Sequence, residues 1–296
     1  SVFRGIGDSR LPLFAVAVAC AFNIAGDLLL VAVFDMGVAG AALATVLAQA
    51  LSVVISFLVI RRRALPFAFT RRMIRLNAGI AGEITRIGLP VALQDVLVSV
   101  SFLVIIAIVN ALGVVPSAGV GVAEKICAFV MLAPSAFMQS MSAFVAQNIG
   151  ANKVERANRA LRCGILCSLA TGLLLSYLSF FHGDIFCAWF SSDPVVALAG
   201  WEYLKAYAID CLLTSFLFCF IGYFNGCGRT TFVMAQGILG AFGVRIPVAY
   251  LMSKRLPISL FHVGLATPAS STLQILLCVA YFFYLRKKTD GKMTAI

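Results

Sequence analysis

The sequence predicts an all-α fold, a polytopic bundle of eight transmembrane helices, and three observations carry that prediction. Of 296 residues, 61% are hydrophobic and only 12% charged, and the mean hydropathy is +1.01, far above that of ordinary water-soluble domains. Apolar stretches of about 20 residues, the length that crosses a ~30 Å hydrocarbon core, recur along the whole chain. They are apolar on nearly every side instead of alternating over ~10 residues, which argues against a β-barrel.

Taken in order, the spans cover 11–33, 38–60, 87–112, 118–146, 160–181, 203–224, 232–252 and 263–285. The first and second are joined by the tight connection Phe34-Asp35-Met36-Gly37, which makes them an antiparallel hairpin. Before the third lies the one long connection, 61–86, which is basic and contains Pro66; it reads as a solvated or interfacial linker. The fourth carries Glu124, Lys125 and Pro134, so its ends are blurred and it is expected to tilt. Pro90, Pro134, Pro247 and Pro268 fall inside spans and predict kinks there. The organisation that follows is 1–60 as two helices of an incomplete first lobe, 61–86 as linker, 87–285 as a six-helix second lobe, and 286–296 as a basic tail.

Net charge is +11, and its placement speaks against nucleic-acid binding. Bases collect in alternate connections: Arg61, Arg62, Arg63, Arg71, Arg72, Arg75 and Arg86 in the linker, Lys153, Arg156, Arg159 and Arg162 before the fifth span, and Arg286, Lys287, Lys288 and Lys292 after the eighth. The opposite side holds Lys125, Lys205, Lys254 and Arg255. This is the positive-inside asymmetry, and it puts both ends in the cytoplasm. Nine cysteines are scattered singly along the chain, most of them within the spans, without a CxxC pair and read as packing residues. His182 and His262 fall in loops, so neither a metal cluster nor a nucleophile with its base is in view, and no enzyme or cofactor is expected. The chain opens at Ser1 without a charged-then-apolar leader, which argues against a signal peptide and raises the expectation of a fragment.

A short repeat supports two related lobes. FRGIGDSR at 3–10 returns as FNGCGRTT at 224–231, each copy with two glycines two apart, a basic residue and a following span; such repeats mark transporters built around a central site.

Asp27 is the residue that points most directly to function. An ionisable group at that depth is costly and marks a functional site by default. At ~1.5 Å per residue Asp27 lies about 9 Å below the outer end of the first span, one turn after Asn23, and Thr45 lies about 12 Å below the same surface on the returning helix. Asn23, Asp27 and Thr45 can therefore converge, with Gln49 extending the polar face one turn inward. Oxygen ligands of this kind suit a proton or a sodium ion equally. In the second lobe Gln94, Asp95, Asp210, Thr214 and Arg245 are candidates for lining a cavity or supporting a site, and Arg245 is expected to pair with Asp210 or Asp95 because an unpaired buried charge is costly.

FRGIGDSRLPL, FNIAGD on the following helix, GVAGAALATVLAQ on the next, and FVAQNIGANKVERA together resemble the multidrug and toxic compound extrusion (MATE) transporters. The likeness is closest to their DinF-like branch and extends over the whole chain. Family members have twelve helices in two lobes, so the resemblance implies that this chain corresponds to the last eight. In the DinF-like branch the matching asparagine, aspartate and threonine form a cation site in the first lobe, which by this resemblance falls on Asn23, Asp27 and Thr45. The family's other acidic residue of that site lies on a first helix with no counterpart here. The intact protein is accordingly expected to be longer, and this chain alone inactive.

The function so implied is a proton- or sodium-coupled antiporter exporting organic compounds, cationic ones foremost, by alternating access. It is expected to act as a monomer in a bacterial inner membrane, with the lipid bilayer, a coupling cation and a small organic substrate as its partners. The rival reading is a lipid-linked oligosaccharide flippase of the same wider superfamily, which calls for a strongly cationic cavity, whereas Arg245 is the one clear base within a span.

Overall fold

The computed structural model describes residues 7, 8, 10–62, 77–257 and 259–293. Most of the first repeat copy, the linker bases Arg63, Arg71, Arg72 and Arg75, and the end of the basic tail lie outside the described residues. Among the described residues, eight helical spans are long and apolar enough to cross a membrane: Arg10–Val33, Gly37–Val59, Ala78–Asn110, Val114–Gly150, Val154–Phe181, Pro194–Gly226, Thr230–Ser253 and Leu260–Lys287. The third begins earlier than the apolar run suggests, at Ala78, because the polar segment around Glu83 and Arg86 continues the same helix. The chain divides into two compact units, Ser1–Ala78 and Gly79–Ile296.

The first unit is a helical hairpin. Asp8 caps its first helix, its carboxylate accepting from the backbone N–H groups of Arg10 and Leu11 at 3.1 and 3.3 Å, which satisfies donors that the first turn leaves open. The second span turns a seam of small residues inward: Gly40, Ala44 and Ala48, four apart, are buried. Gly26 of the first span meets that seam so closely that a Cβ there would lie 3.1 Å from Ala44 Cβ. Small side chains are what allow two membrane helices to approach this far. At the connection Asp35 and Gly37 adopt φ of 53°, a left-handed conformation that reverses the chain in few residues.

In the second unit the sixth span is the axle, packed against the fourth, fifth and eighth. Its glycines set the spacing. Gly200 faces Gly119 of the fourth span across a gap too small for a Cβ on either, and Gly222 and Gly226 abut the backbone carbonyls of Met138 and Ser142. Two apolar clusters lie along the axle. One gathers Ile105, Val109, Val120, Tyr203 and Val263; the other gathers Val145, Leu161, Phe220, Phe224 and Val233.

The prolines account for most interruptions of the helices. Proline supplies no N–H to the carbonyl four residues earlier and clashes with it. The fourth span accordingly breaks at Met131, ahead of Pro134. The seventh passes through a π-helical segment, Leu239–Arg245, just before Pro247. The eighth breaks after Gly264, whose carbonyl, left open by Pro268, accepts instead from Thr267 Oγ1 at 2.8 Å. Pro90 is the exception, since its helix runs unbroken from Ala78 to Asn110.

Candidate functional site

In the hairpin, the close contact at Gly26 and Ala44 places Asn23 beside Thr45. Asn23 Nδ2 donates to Thr45 Oγ1 at 3.5 Å, and Thr45 Oγ1 donates in turn to the Ala41 carbonyl at 3.0 Å. The amide oxygen of Asn23 takes no part in that exchange. One turn further on, Asp27 is half-buried, and its Oδ1 is buried with no hydrogen-bond partner. The structure thus joins Asn23 to Thr45 and leaves Asp27 next to the pair without a bond to either. Gln49 lies one turn from Thr45 on the exposed side of the hairpin.

Directly after Asp27 the winding changes from α to π over Leu28–Val33. A π segment widens the helix by an extra residue and shifts the ladder of backbone bonds, and such segments recur where helices carry sites. The chemistry of the donor set fits a small cation: a carboxylate with an unmet oxygen, an amide oxygen and a hydroxyl are hard ligands that suit sodium, and the carboxylate alone suits a proton. Asp27, Asn23 and Thr45 could hold either one.

The polar groups of the second unit are arranged differently from expectation. Asp210 is 4% exposed and accepts a 2.5 Å hydrogen bond from Ser271 Oγ. Arg245 is 7% exposed; its Nη1 donates to Ser101 Oγ at 3.1 Å, and its guanidinium lies over the Phe102 ring at 4.4 Å. The expected direct pair of Arg245 with Asp210 or Asp95 is therefore not formed: Asp210 and Arg245 each meet a serine hydroxyl instead, and Arg245 Nε has no partner. A polarisable aromatic face and a hydroxyl offset part of the cost of burying the guanidinium.

Thr214 is turned back on its own helix, donating to the carbonyls of Asp210 at 2.8 Å and Cys211 at 3.1 Å. Gln94 is half-buried and packs onto Gly237, whose added Cβ would lie 2.9 Å from Gln94 Nε2. Asp95 is exposed. Residues missed in the sequence are the uncharged ones: Ser101, Gln236, and the buried row Thr267, Ser270, Ser271 and Gln274 on the eighth span. The spacing of that row, three, four and seven from its first member, is helical and was the available signal. Gln274 Nε2 donates to Ser270 Oγ at 3.0 Å and packs onto Gly240 in the π segment.

A family model, MatE, matches residues 90–251, more than half of the chain. The chain belongs to the MatE family. Among relatives it is 26% identical to a probable multidrug resistance protein, YoeA, of Bacillus subtilis over 96% of this chain and 63% of that protein. It is 27% identical to an FAD transporter of Shewanella oneidensis over 70% of this chain and 46% of that protein. The fold matches a crystal structure of MATE in complex with MaL6 with TM-score 0.87 at 19% identity, covering 98% of this chain and 65% of that one. An outward-facing MATE transporter of the MOP superfamily also gives TM-score 0.87. The chain thus spans less than two thirds of the length of these relatives, between 46% and 65%.

Proposed function

We propose that this MatE chain is part of a proton- or sodium-coupled antiporter that exports organic compounds, cationic ones foremost, and that Asp27 with Asn23 and Thr45 is where the coupling cation binds. The observation that carries the reading is the buried, unpartnered Asp27 Oδ1 beside the Asn23–Thr45 pair. An acceptor of that kind is costly inside a membrane unless a proton or ion meets it in part of the working cycle. Multidrug resistance and export are in the names of several relatives, and drug export is carried over from them to this chain as part of the proposal.

The cation binds Asp27 from outside and shifts the balance between outward-open and inward-open states by its differential affinity for the two. Both ends of the chain lie on the arginine-rich, cytoplasmic side of a bacterial inner membrane. In this reading the chain belongs with the DinF-like branch and supplies the last eight of twelve helices of a monomeric carrier. The flippase alternative is not favoured, because Arg245, the base it would rely on, is buried against Ser101 and Phe102.

The test is Asp27→Asn in the intact transporter, reconstituted in vesicles, with dye efflux driven first by a sodium gradient and then by a pH gradient. Efflux driven by the physiological ion is expected to vanish while the protein still inserts at wild-type levels. Undiminished efflux by the variant under both gradients would remove Asp27 from the mechanism.

A further inference from the structure

The start of the fifth span carries a basic face that the transport reading does not use. Arg156, Arg159 and Arg162 are exposed and three residues apart, so at about 100° per residue they sweep one side of the helix. The opposite side is fixed: Ala157 and Leu161 are 0% and 3% exposed within the apolar cluster around Phe220 and Phe224. Asn158 adds a second anchor by accepting from Tyr223 Oη of the sixth span at 2.7 Å. The arginines thus stand on a turn held rigidly from behind, and Arg156 is further placed by lying over the Phe144 ring of the fourth span at 5.5 Å. Glu155 is exposed on the same side, one turn before Arg159, so the face carries a net charge of about +2; none of the three guanidinium groups makes an ion pair among the described residues.

Along the same helical side, one turn deeper, the exposed residues become apolar: Leu166 at 69%, Leu173 at 61% and Tyr177. From Arg162 to Leu173 the helix advances about 16 Å, close to half of a ~30 Å hydrocarbon core.

We propose that this face is a binding site for one anionic phospholipid, its headgroup phosphate held by Arg156, Arg159 and Arg162 and its acyl chain lying along Leu166 and Leu173. Guanidinium forks match phosphate oxygens two at a time and are weakly hydrated, which favours contact over a diffuse counterion atmosphere. A free phosphate would use the arginines but not the apolar track, and a zwitterionic lipid would use the track but bring its own cation to the arginines. Only an anionic phospholipid complements both.

The protein purified in detergent is offered phosphatidylglycerol, phosphatidylcholine or inorganic phosphate, and retained ligand is read by native mass spectrometry. Phosphatidylglycerol is expected to be retained in preference to phosphatidylcholine, and the preference is expected to fall roughly tenfold in R156Q/R159Q/R162Q. It should survive in part in R156K/R159K/R162K, which keeps the charge but not the fork. Apart from the contact of Arg156 with the Phe144 ring, the glutamine variant alters only exposed side chains, so its melting temperature in phosphatidylcholine vesicles is expected to stay close to that of the wild type. An unchanged preference in the glutamine variant, or displacement of phosphatidylglycerol by millimolar phosphate, would overturn the proposal.

Discussion

Asp27 and Asp210 are both carboxylates inside membrane-length helices, yet their surroundings separate them. Asp210 is met by Ser271 Oγ at 2.5 Å, so its burial is compensated within the bundle. Asp27 keeps an unmet buried oxygen beside an amide and a hydroxyl that are already engaged with each other. The first arrangement holds helices together, and the second leaves capacity for a ligand. Replacing Ser271 by alanine strips Asp210 of its donor, and leaving a buried acceptor unmet costs about 1–3 kcal/mol. A lowered melting temperature for Ser271→Ala in detergent is therefore expected, and an unchanged one would show that Asp210 finds another donor. Sequence inspection singled out both carboxylates from depth alone, but which of them is compensated depended on a serine 61 residues away.

For the helices, the decisive features are glycines and prolines. The fourth and sixth spans touch through Gly119 and Gly200, where a Cβ on Gly119 would lie 2.8 Å from Ala199 Cβ and 2.9 Å from the Gly200 nitrogen. Backbone cannot move aside as a flexible side chain can, so Gly119→Val is expected to destabilise the second unit by about 1–3 kcal/mol or more, read as loss of folded protein in a thermal shift. Gly121, two residues on, has open space around its position, and Gly121→Ala serves as the control that should melt normally. The prolines were legible as breaks, and three of the four coincide with interruptions. What could not be read was the kind of interruption. Ahead of Pro247 the helix passes into a π segment, and ahead of Pro134 it breaks cleanly, although the two prolines remove the same backbone donor.

At the scale of the whole molecule, the repeat seen in the sequence has a structural counterpart. Gly7 and Gly228 hold the same place in the two copies, and both adopt left-handed φ, 93° and 71°, just before a span begins. Glycine is the residue that takes this conformation without steric cost, so both copies place the same left-handed glycine shortly ahead of a helix. The asymmetry of charge across the spans makes a prediction about orientation. In a cysteine-free background, Lys153→Cys is expected to react with an impermeant maleimide only in permeabilised cells, and Ser192→Cys in intact cells as well. The reverse pattern would invert the proposed topology and place the Asp27 site on the opposite side of the membrane.

The sequence by itself determined the eight spans, their order and the hairpin that brings Asn23 to Thr45, because length, hydropathy and a tight turn act locally and leave little freedom. It also located the two charged residues that are buried among the described residues, Asp210 and Arg245, since a charged residue in an apolar run is conspicuous whatever surrounds it. Tertiary structure alone decided who meets those charges. Arg245 goes to Ser101, 144 residues away, and not to a carboxylate, because pairing inside a bundle depends on which helix faces are turned together. Small uncharged residues, whose alternatives cost little when read one at a time, set those faces. The same reason leaves Asp27 Oδ1 unmet: no neighbour among the described residues donates to it.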